Sequence, residues 1–381
     1  MKVLHLIYTH GIAGAEKYLK HLLPPLKDKG ISSHLVLVCS PGFENKLQEY
    51  CDDMSKRGIP SSVKVYSKKN FLSAAKSIAA YTKQHDIEVL HSHLVNSDTL
   101  AILTRYLYNK KLKLVSTKHG YSEYVLKQII DVNKLGSLKW KAKLKPYYYV
   151  TWLTLKLIPH NFAVSKAMAQ LYQNLGFTKN PMPFIHHGLH VQLPESDVPT
   201  GIEGNPLLVI AGRLEIFKGH EYIFKAMPAI VKQFPGCKLL VLGEGGEKEY
   251  YEGLCQTLGI TNNVNFLGFK QNPYSYIKAA DVMVIPSLFE PFGLVFIEAI
   301  ALHKAVVCFD VPAGNEILAD NETALMSPRA DYANLADNII LLLGNNELRR
   351  DIAAKAYDLY CNKFTTEIMV RNTRAYYEGL N

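Results

Sequence analysis

The chain runs through the same alternation of strand and helix patterns twice. In the first half, Val3–Tyr8 reads as a strand, Ala15–Lys29 as a helix and Ser33–Val38 as a second strand. Ile87–His91 and Leu112–Thr117 read as later strands with a helix between them, and Asn161–Val164 and Pro183–His186 as the last strands of this half. The stretch Leu193–Pro206 is rich in Pro, Gly and acids, has no periodicity and reads as a linker. The rhythm then restarts. Leu207–Ala211, Cys237–Leu242, Val264–Leu267, Asp281–Ile285 and Ala305–Phe309 are strand-like; His220–Gln233, Leu335–Leu343 and the residues after Asn346 are helical. Strands alternating with helices imply parallel sheets with helices on both faces. At 381 residues the chain is long enough for two cores. The expected architecture is therefore α/β, two doubly wound domains facing a central cleft, with the ligand near the carboxyl ends of the strands.

Composition excludes several classes. The chain is 48% hydrophobic and 20% charged, as ordinary globular proteins are. Its six cysteines form no CxxC pair, and runs such as those around Cys39 and Cys308 are apolar. Buried thiols are expected, not a disulfide framework or a zinc site. Lys2 leads straight into a strand pattern and no apolar run reaches about 18 residues, so neither a signal peptide nor a spanning helix is expected and a cytoplasmic location follows by default. Charge is uneven: residues 1–200 hold 27 Lys+Arg against 13 Asp+Glu, and residues 201–381 hold 16 against 21. Lys110–Lys156 has eleven lysines, two acids (Glu123 and Asp131), and Trp140, Tyr147, Tyr148, Tyr149 and Trp152 among them. An anionic membrane surface, nucleic acid or a plain solvated helix face would each account for that mixture, nucleic acid least well.

The second half carries the sharper chemical signals. Glu290-Pro291-Phe292-Gly293-Leu294-Val295-Phe296-Ile297-Glu298 follows the run Val282–Pro286, so two carboxylates bracket a glycine turn where a strand passes into a helix. A helix start offers free N–H groups and partial positive charge to a phosphate, while carboxylates accept from hydroxyls. Phosphate donors beside hydroxyl acceptors suit a sugar nucleotide. Arg213 and Lys218 stand five residues apart just after another strand, and such a pair can offset a diphosphate without a metal. Glu298 lies among Phe296, Ile297, Ala299 and Ile300, where a carboxylate needs a partner. The two glutamates would also fit a hydrolase acid/base pair.

Signals in the first half are weaker. Gly11-Ile12-Ala13-Gly14-Ala15-Glu16 opens the first helix, and its small residues permit close approach of a ligand. It is not a GxGxxG fingerprint, and no GxxxxGK[ST] loop is present, which disfavours ATP hydrolysis. Gly243–Gly246 is similar. His91-Ser92-His93 offers two imidazoles to a metal, but no third ligand stands at a fitting spacing, so no metal is expected. His119 sits directly after a strand and before Gly120, either as a structural residue or as a side chain of the site.

Taken together, these residues resemble glycosyltransferase family 4 with the GT-B fold. The resemblance rests on Glu290 and Glu298, on Arg213 and Lys218, on Ala13-Gly14-Ala15-Glu16 and on His119, with His91–His93, Phe162–Ser165, Gly243–Gly245 and Val264–Gly268 as further matching pieces. It spans nearly the whole chain and is looser in the first half. It implies a Rossmann-like acceptor domain over residues 1–192, with a final helix 362–381 crossing back to it, and a Rossmann-like nucleotide-sugar domain over 193–361. It implies a retaining hexosyltransferase that moves a sugar from a UDP- or GDP-sugar to a saccharide acceptor, such as a lipid-linked or cell-surface polysaccharide or lipopolysaccharide precursor, with no metal or other cofactor. His119, Glu290, Arg213 and Lys218 would be catalytic. Gly14, Arg213, Lys218, Gly243, Phe266, Leu267, Glu290, Phe292, Gly293, Leu294 and Glu298 would bind the donor, with Glu298 on the ribose and Glu290 on sugar hydroxyls. The enzyme would sit in the cytoplasm or at the cytoplasmic face of the inner membrane. Two departures stand out: Ala13 where a glycine is usual, and His187 where an asparagine is commoner. A sugar-nucleotide epimerase, a phosphorylase or a non-catalytic sugar-nucleotide binding protein are the alternatives.

Overall fold

The computed structural model describes residues 1–66, 70–120, 145–191 and 204–380. Residues 193–203 of the expected linker and residues 121–144 of the lysine–aromatic stretch lie outside the described residues. The chain divides into two compact units, Met1–Gly188 with Thr366–Asn381, and Leu189–Thr365.

The strands of the first unit are β1 (Lys2–Tyr8), β2 (Ser32–Cys39), β3 (Ser61–Val65), β4 (Val89–His93), β5 (Lys113–Lys118) and β6 (His160–Ala163). Its helices are α1 (Gly14–Asp28), α2 (Glu44–Lys56), α3 (Phe71–Gln84), α4 (Val95–Leu103), α5 (Lys145–Leu157) and α6 (Lys166–Asn174). In the second unit the strands are β7 (Leu207–Ala211), β8 (Lys238–Leu242), β9 (Val264–Gly268), β10 (Val282–Ile285), β11 (Ala305–Phe309) and β12 (Leu325–Ser327). Its helices are α7 (His220–Gln233), α8 (Lys248–Thr257), α9 (Tyr274–Ala279), α10 (Leu294–Ala301), α11 (Pro312–Ile317), α12 (Tyr332–Gly344) and α13 (Asn346–Lys363); α14 (Thr366–Glu378) returns to the first unit.

Both sheets have six parallel strands, in the orders β3-β2-β1-β4-β5-β6 and β12-β11-β10-β7-β8-β9. Each is the doubly wound order, with its reversal between β1 and β4 and between β7 and β10. The sequence explains why the sheets are parallel and covered. The runs in β7, β10 and β11 are apolar without alternation and are buried on both faces, and β1 is so apart from Lys2 and the buried His5. Helix α1 buries Tyr18, Leu19, Leu22, Leu23 and Leu26 along one stripe. That core also holds Met369, Val370 and Tyr377 of α14, so apolar packing ties the last helix to the first unit.

Pro183–His186 is not a strand. Phe184 makes an isolated bridge to Ala163, and the prolines at 181 and 183 have no N–H with which to extend a ladder. β3 and β12, absent from the expected set, are short edge strands with weak apolar runs.

Candidate active site

In a doubly wound sheet the loops that leave the carboxyl ends at the strand-order reversal open the usual binding crevice. In the second unit those loops follow β7 and β10, and they carry the expected residues. Arg213 is exposed in the loop after β7, and Lys218 closes a 3-10 turn, Ile216–Lys218. Lys218 Nζ lies 2.5 Å from Glu290 Oε1, and the Ser287 hydroxyl donates to the same oxygen at 2.9 Å. Glu290 is buried and Lys218 is partly exposed, so the pair sits at the surface end of a low-dielectric site. Ser287 had no signal in the sequence; only the fold shows that it holds the carboxylate.

The chain after Glu290 turns sharply at Gly293, which precedes α10 with φ of 87°. A Cβ there would fall 2.5 Å from the Phe296 ring. The turn starts α10 with Phe292 buried and Leu294 half-buried, and brings Glu298 to the buried side of the helix. Burial, with the Glu298 charge second, pushes the Tyr274 phenol well above its ordinary range.

The other loops at this end are laced together through backbone. Gly212 N–H donates to Leu242 O and Gly243 N–H to Gly268 O, each at 2.9 Å, and Leu214 N–H to Glu244 O at 2.9 Å. A Cβ on Gly243 would sit 1.9 Å from Gly212 O, so this approach requires glycine. Phe266 and Leu267 lie half-buried at the end of β9, the neighbour of β8.

The first unit places a different chemistry at its own reversal. After β1, the Glu16 carboxylate accepts from Ala13 N–H at 2.8 Å and tightens the turn into α1, leaving Gly14 exposed with no atom within 4 Å of where a Cβ would be. Burial raises the Glu16 pKa above the usual carboxylate range. His119 follows β5 directly. Its strand end is anchored by a buried ion pair, Lys118 Nζ to Asp98 Oδ2 at 2.6 Å, while Ser92 and Ser116 hydroxyls both donate to Asp98 Oδ1 at 2.6 Å. Such a pair needs its extra hydrogen bonds to offset desolvation, and here it has them.

His93 Nδ1 lies 2.9 Å from His119 Nε2, and His93 Nε2 lies 3.1 Å from His5 Nδ1. His91 bonds Tyr377 through Nδ1 at 2.5 Å and Thr117 through Nε2 at 2.7 Å. Burial holds all these rings neutral: His5 and His119 are lowered to about 3, and His91 and His93 well below 6.5. The spacing of His91 and His93 offered no third ligand, and this reading is corrected: β1 pairs with β4 so that His5 stands opposite His91. Nitrogens of His5, His91 and His93 lie within 4.8 Å of one another. His187 stacks on Tyr18 at 4.5 Å, next to His119 at 5.5 Å.

Two doubly wound units with loops of this kind at each sheet reversal define a GT-B glycosyltransferase architecture. Residues 12–193 match the family model for Glycosyltransferase Family 4, and residues 194–359 match the model for Glycosyl transferases group 1. The chain belongs to the family 4 glycosyltransferases. It is 27% identical to alpha-D-kanosaminyltransferase of Streptomyces kanamyceticus over 167 residues, a match spanning less than half of either protein (43% of each). Over 351 residues, 90% of this chain and 84% of the relative, it is 26% identical to phosphatidyl-myo-inositol mannosyltransferase of Mycolicibacterium smegmatis. HepE of Anabaena, solved in complex with UDP, shares the fold at TM-score 0.78 and 18% identity, with 100% of both chains covered.

Proposed function

We propose that this protein is a retaining glycosyltransferase that transfers a hexosyl group from a UDP- or GDP-sugar to a saccharide acceptor. The observation that carries the reading is the contact of Lys218 with Glu290 at the sheet reversal, with Glu298 buried about one turn into α10. Arg213 and Lys218 offset the charge that grows on the departing diphosphate, an electrostatic role that uses no metal. Glu290, held by Ser287, accepts from donor-sugar hydroxyls, and Glu298 accepts from the ribose. The N–H groups at the start of α10 receive phosphate oxygens. In the retaining reaction the new glycosidic bond forms on the face the diphosphate leaves, and a phosphate oxygen takes the acceptor's proton. UDP in the HepE complex supports the donor class. Arg213→Ala and Glu298→Ala are each expected to lower transfer about tenfold or more, since one lost transition-state contact of about 1.4 kcal/mol suffices. Near-normal turnover in both variants sinks the assignment; titration with UDP, GDP and ADP identifies the base.

The acceptor is a lipid-linked or surface-polysaccharide precursor met at an anionic membrane. No helix of the described residues is long and apolar enough to cross a membrane, and the contact in this reading is peripheral. Helix α5 exposes Tyr149, Val150 and Leu153 beside Lys156, and Tyr106 and Leu107 are exposed where the Tyr106 hydroxyl donates to Leu157 O at 3.2 Å. Exposed aromatic and aliphatic groups among lysines suit an interface of anionic headgroups. The name of the mycobacterial relative carries a lipid acceptor. Binding to anionic vesicles that weakens with salt is expected; equal binding to neutral vesicles removes this part of the reading.

A further inference from the structure

The path His119–His93–His5 is a continuous chain of three imidazoles, linked at 2.9 and 3.1 Å. A neutral imidazole has one N–H and one bare nitrogen. His93 therefore cannot donate to both neighbours, and the two links run in one sense: every ring donates inward toward His5, or every ring donates outward toward His119. The end nitrogens, His5 Nε2 and His119 Nδ1, meet no hydrogen-bond partner among the described residues.

The two senses leave different groups unsatisfied. Inward donation buries an N–H on His5 Nε2, in a ring that is 0% exposed. Outward donation leaves a bare lone pair there and puts the hydrogen of His119 on Nδ1. Either sense thus leaves one end with a buried N–H that lacks an acceptor, an arrangement that is rare and costly. The ends differ in what surrounds them: the His5 ring is 0% exposed, whereas His119 is half-buried at a strand end, so only the N–H on His119 lies where an incoming ligand can supply the missing acceptor.

We propose that His93 and His5 are positioning residues that lock His119 in its Nδ1–H tautomer, so that it donates a hydrogen bond to an oxygen of the bound ligand. The identity of that oxygen rests on the transferase reading, in which it belongs to the nucleotide-sugar donor. His119 then acts as a neutral donor, neither an imidazolium nor a general base. Burial supports this, since it lowers the ring's pKa to about 3, and the Lys118 charge adds to the effect. The other use of the cluster, a metal on His5, His91 and His93, competes for the same atoms. Both nitrogens of His91 and both of His93 already have partners, which favours the relay.

The test is the tautomer itself, read by two-bond nitrogen–proton correlation on full-length, ¹⁵N-histidine-labelled protein, with His119 assigned through its loss in His119→Gln. The expected wild-type result is His119 as Nδ1–H alone. In His93→Phe it becomes a mixture of both tautomers, kcat falls about tenfold, donor KM moves less than about twofold and nucleotide affinity holds. If His93→Phe does not fold, His5→Phe breaks the chain at its far end, and the wild-type spectrum decides without any variant. Nε2–H on wild-type His119, or a tautomer unchanged by these variants, overturns the proposal. So does stoichiometric Zn²⁺ that shifts His5, His91 and His93 together. Failure to bind any nucleotide while His119 stays Nδ1–H overturns the transferase reading and supports the relay.

Discussion

At the reversal of the first sheet the side chains that meet are imidazoles kept neutral by burial; at the reversal of the second they are a lysine and a glutamate 2.5 Å apart. The strand order is the same in both units, so topology supplies the place and not the chemistry. The difference follows from which face of the sheet carries the polar groups. In the first unit His5, His91 and His93 sit on strands, within a face covered by apolar helices, where a charge is expensive and a chain of neutral rings is not. In the second unit the strands are apolar and the polar groups sit on the loops beyond them, where water reaches Lys218. A unit built the first way presents oriented neutral hydrogen bonds. One built the second way presents charge, which suits a diphosphate.

The sharpest way to break this comparison is acid. His5 and His119 are held near 3, and His91, His93 and His187 well below 6.5, all first by burial. Between those values and 6.5 the unfolded chain binds more protons than the folded one. Stability is therefore intact above pH 6.5 and is lost as pH falls toward 3. Each imidazole contributes up to about 1.4 kcal/mol per pH unit in that window, so two acting together cost about 3 kcal/mol per unit. The second unit has one such fully buried ring, His220, also lowered to about 3. Trp152 lies in α5 of the first unit, so its fluorescence reports that unit's unfolding. Urea midpoints taken from pH 7.5 to 5 are expected to fall in fluorescence well before they fall in far-UV signal from the rest of the chain. Parallel loss in both signals would mean that the units do not differ in this way.

Much of this was legible before any coordinates. Apolar runs of five or so residues mark most strands, some closed by a glycine such as Gly212 or Gly243, because a parallel strand buried on both faces must be largely apolar. The Glu290–Glu298 stretch was legible for the same reason: carboxylates next to buried strands and an apolar helix have few explanations. Edge strands β3 and β12 were not, since Ser61–Val65 is only partly buried and Leu325–Ser327 is just three residues long. Pro183–His186 misled because its apolar character resembles a strand while its prolines deny it a ladder. The His5 contact was hidden in register: only the pairing of β1 with β4 brings positions 86 residues apart face to face. Ser287 and Asp98 were hidden likewise, because a small polar residue near a strand end has no signature until its partner is known.

A smaller effect separates the two units at their glycines. In the second unit Gly243, with φ of 146°, packs against the backbone of the loop after β7, and Gly243→Ala would drive a methyl into Gly212 O. About 2 kcal/mol or more of stability should be lost, as for other overpacked sites, and the melting temperature should fall with it. Gly14 stands in the opposite situation. Nothing in its own unit lies within 4 Å of a Cβ, its φ is not positive, and it occupies the first position of α1, where alanine is the better helix former. Gly14→Ala should leave the melting temperature unchanged or slightly raised. If the bare backbone there is kept for a phosphate to approach, transfer should still fall about tenfold, equivalent to about 1.4 kcal/mol of lost transition-state contact. Full activity in Gly14→Ala would mean that the first unit meets its ligand through the imidazole chain and not through this turn.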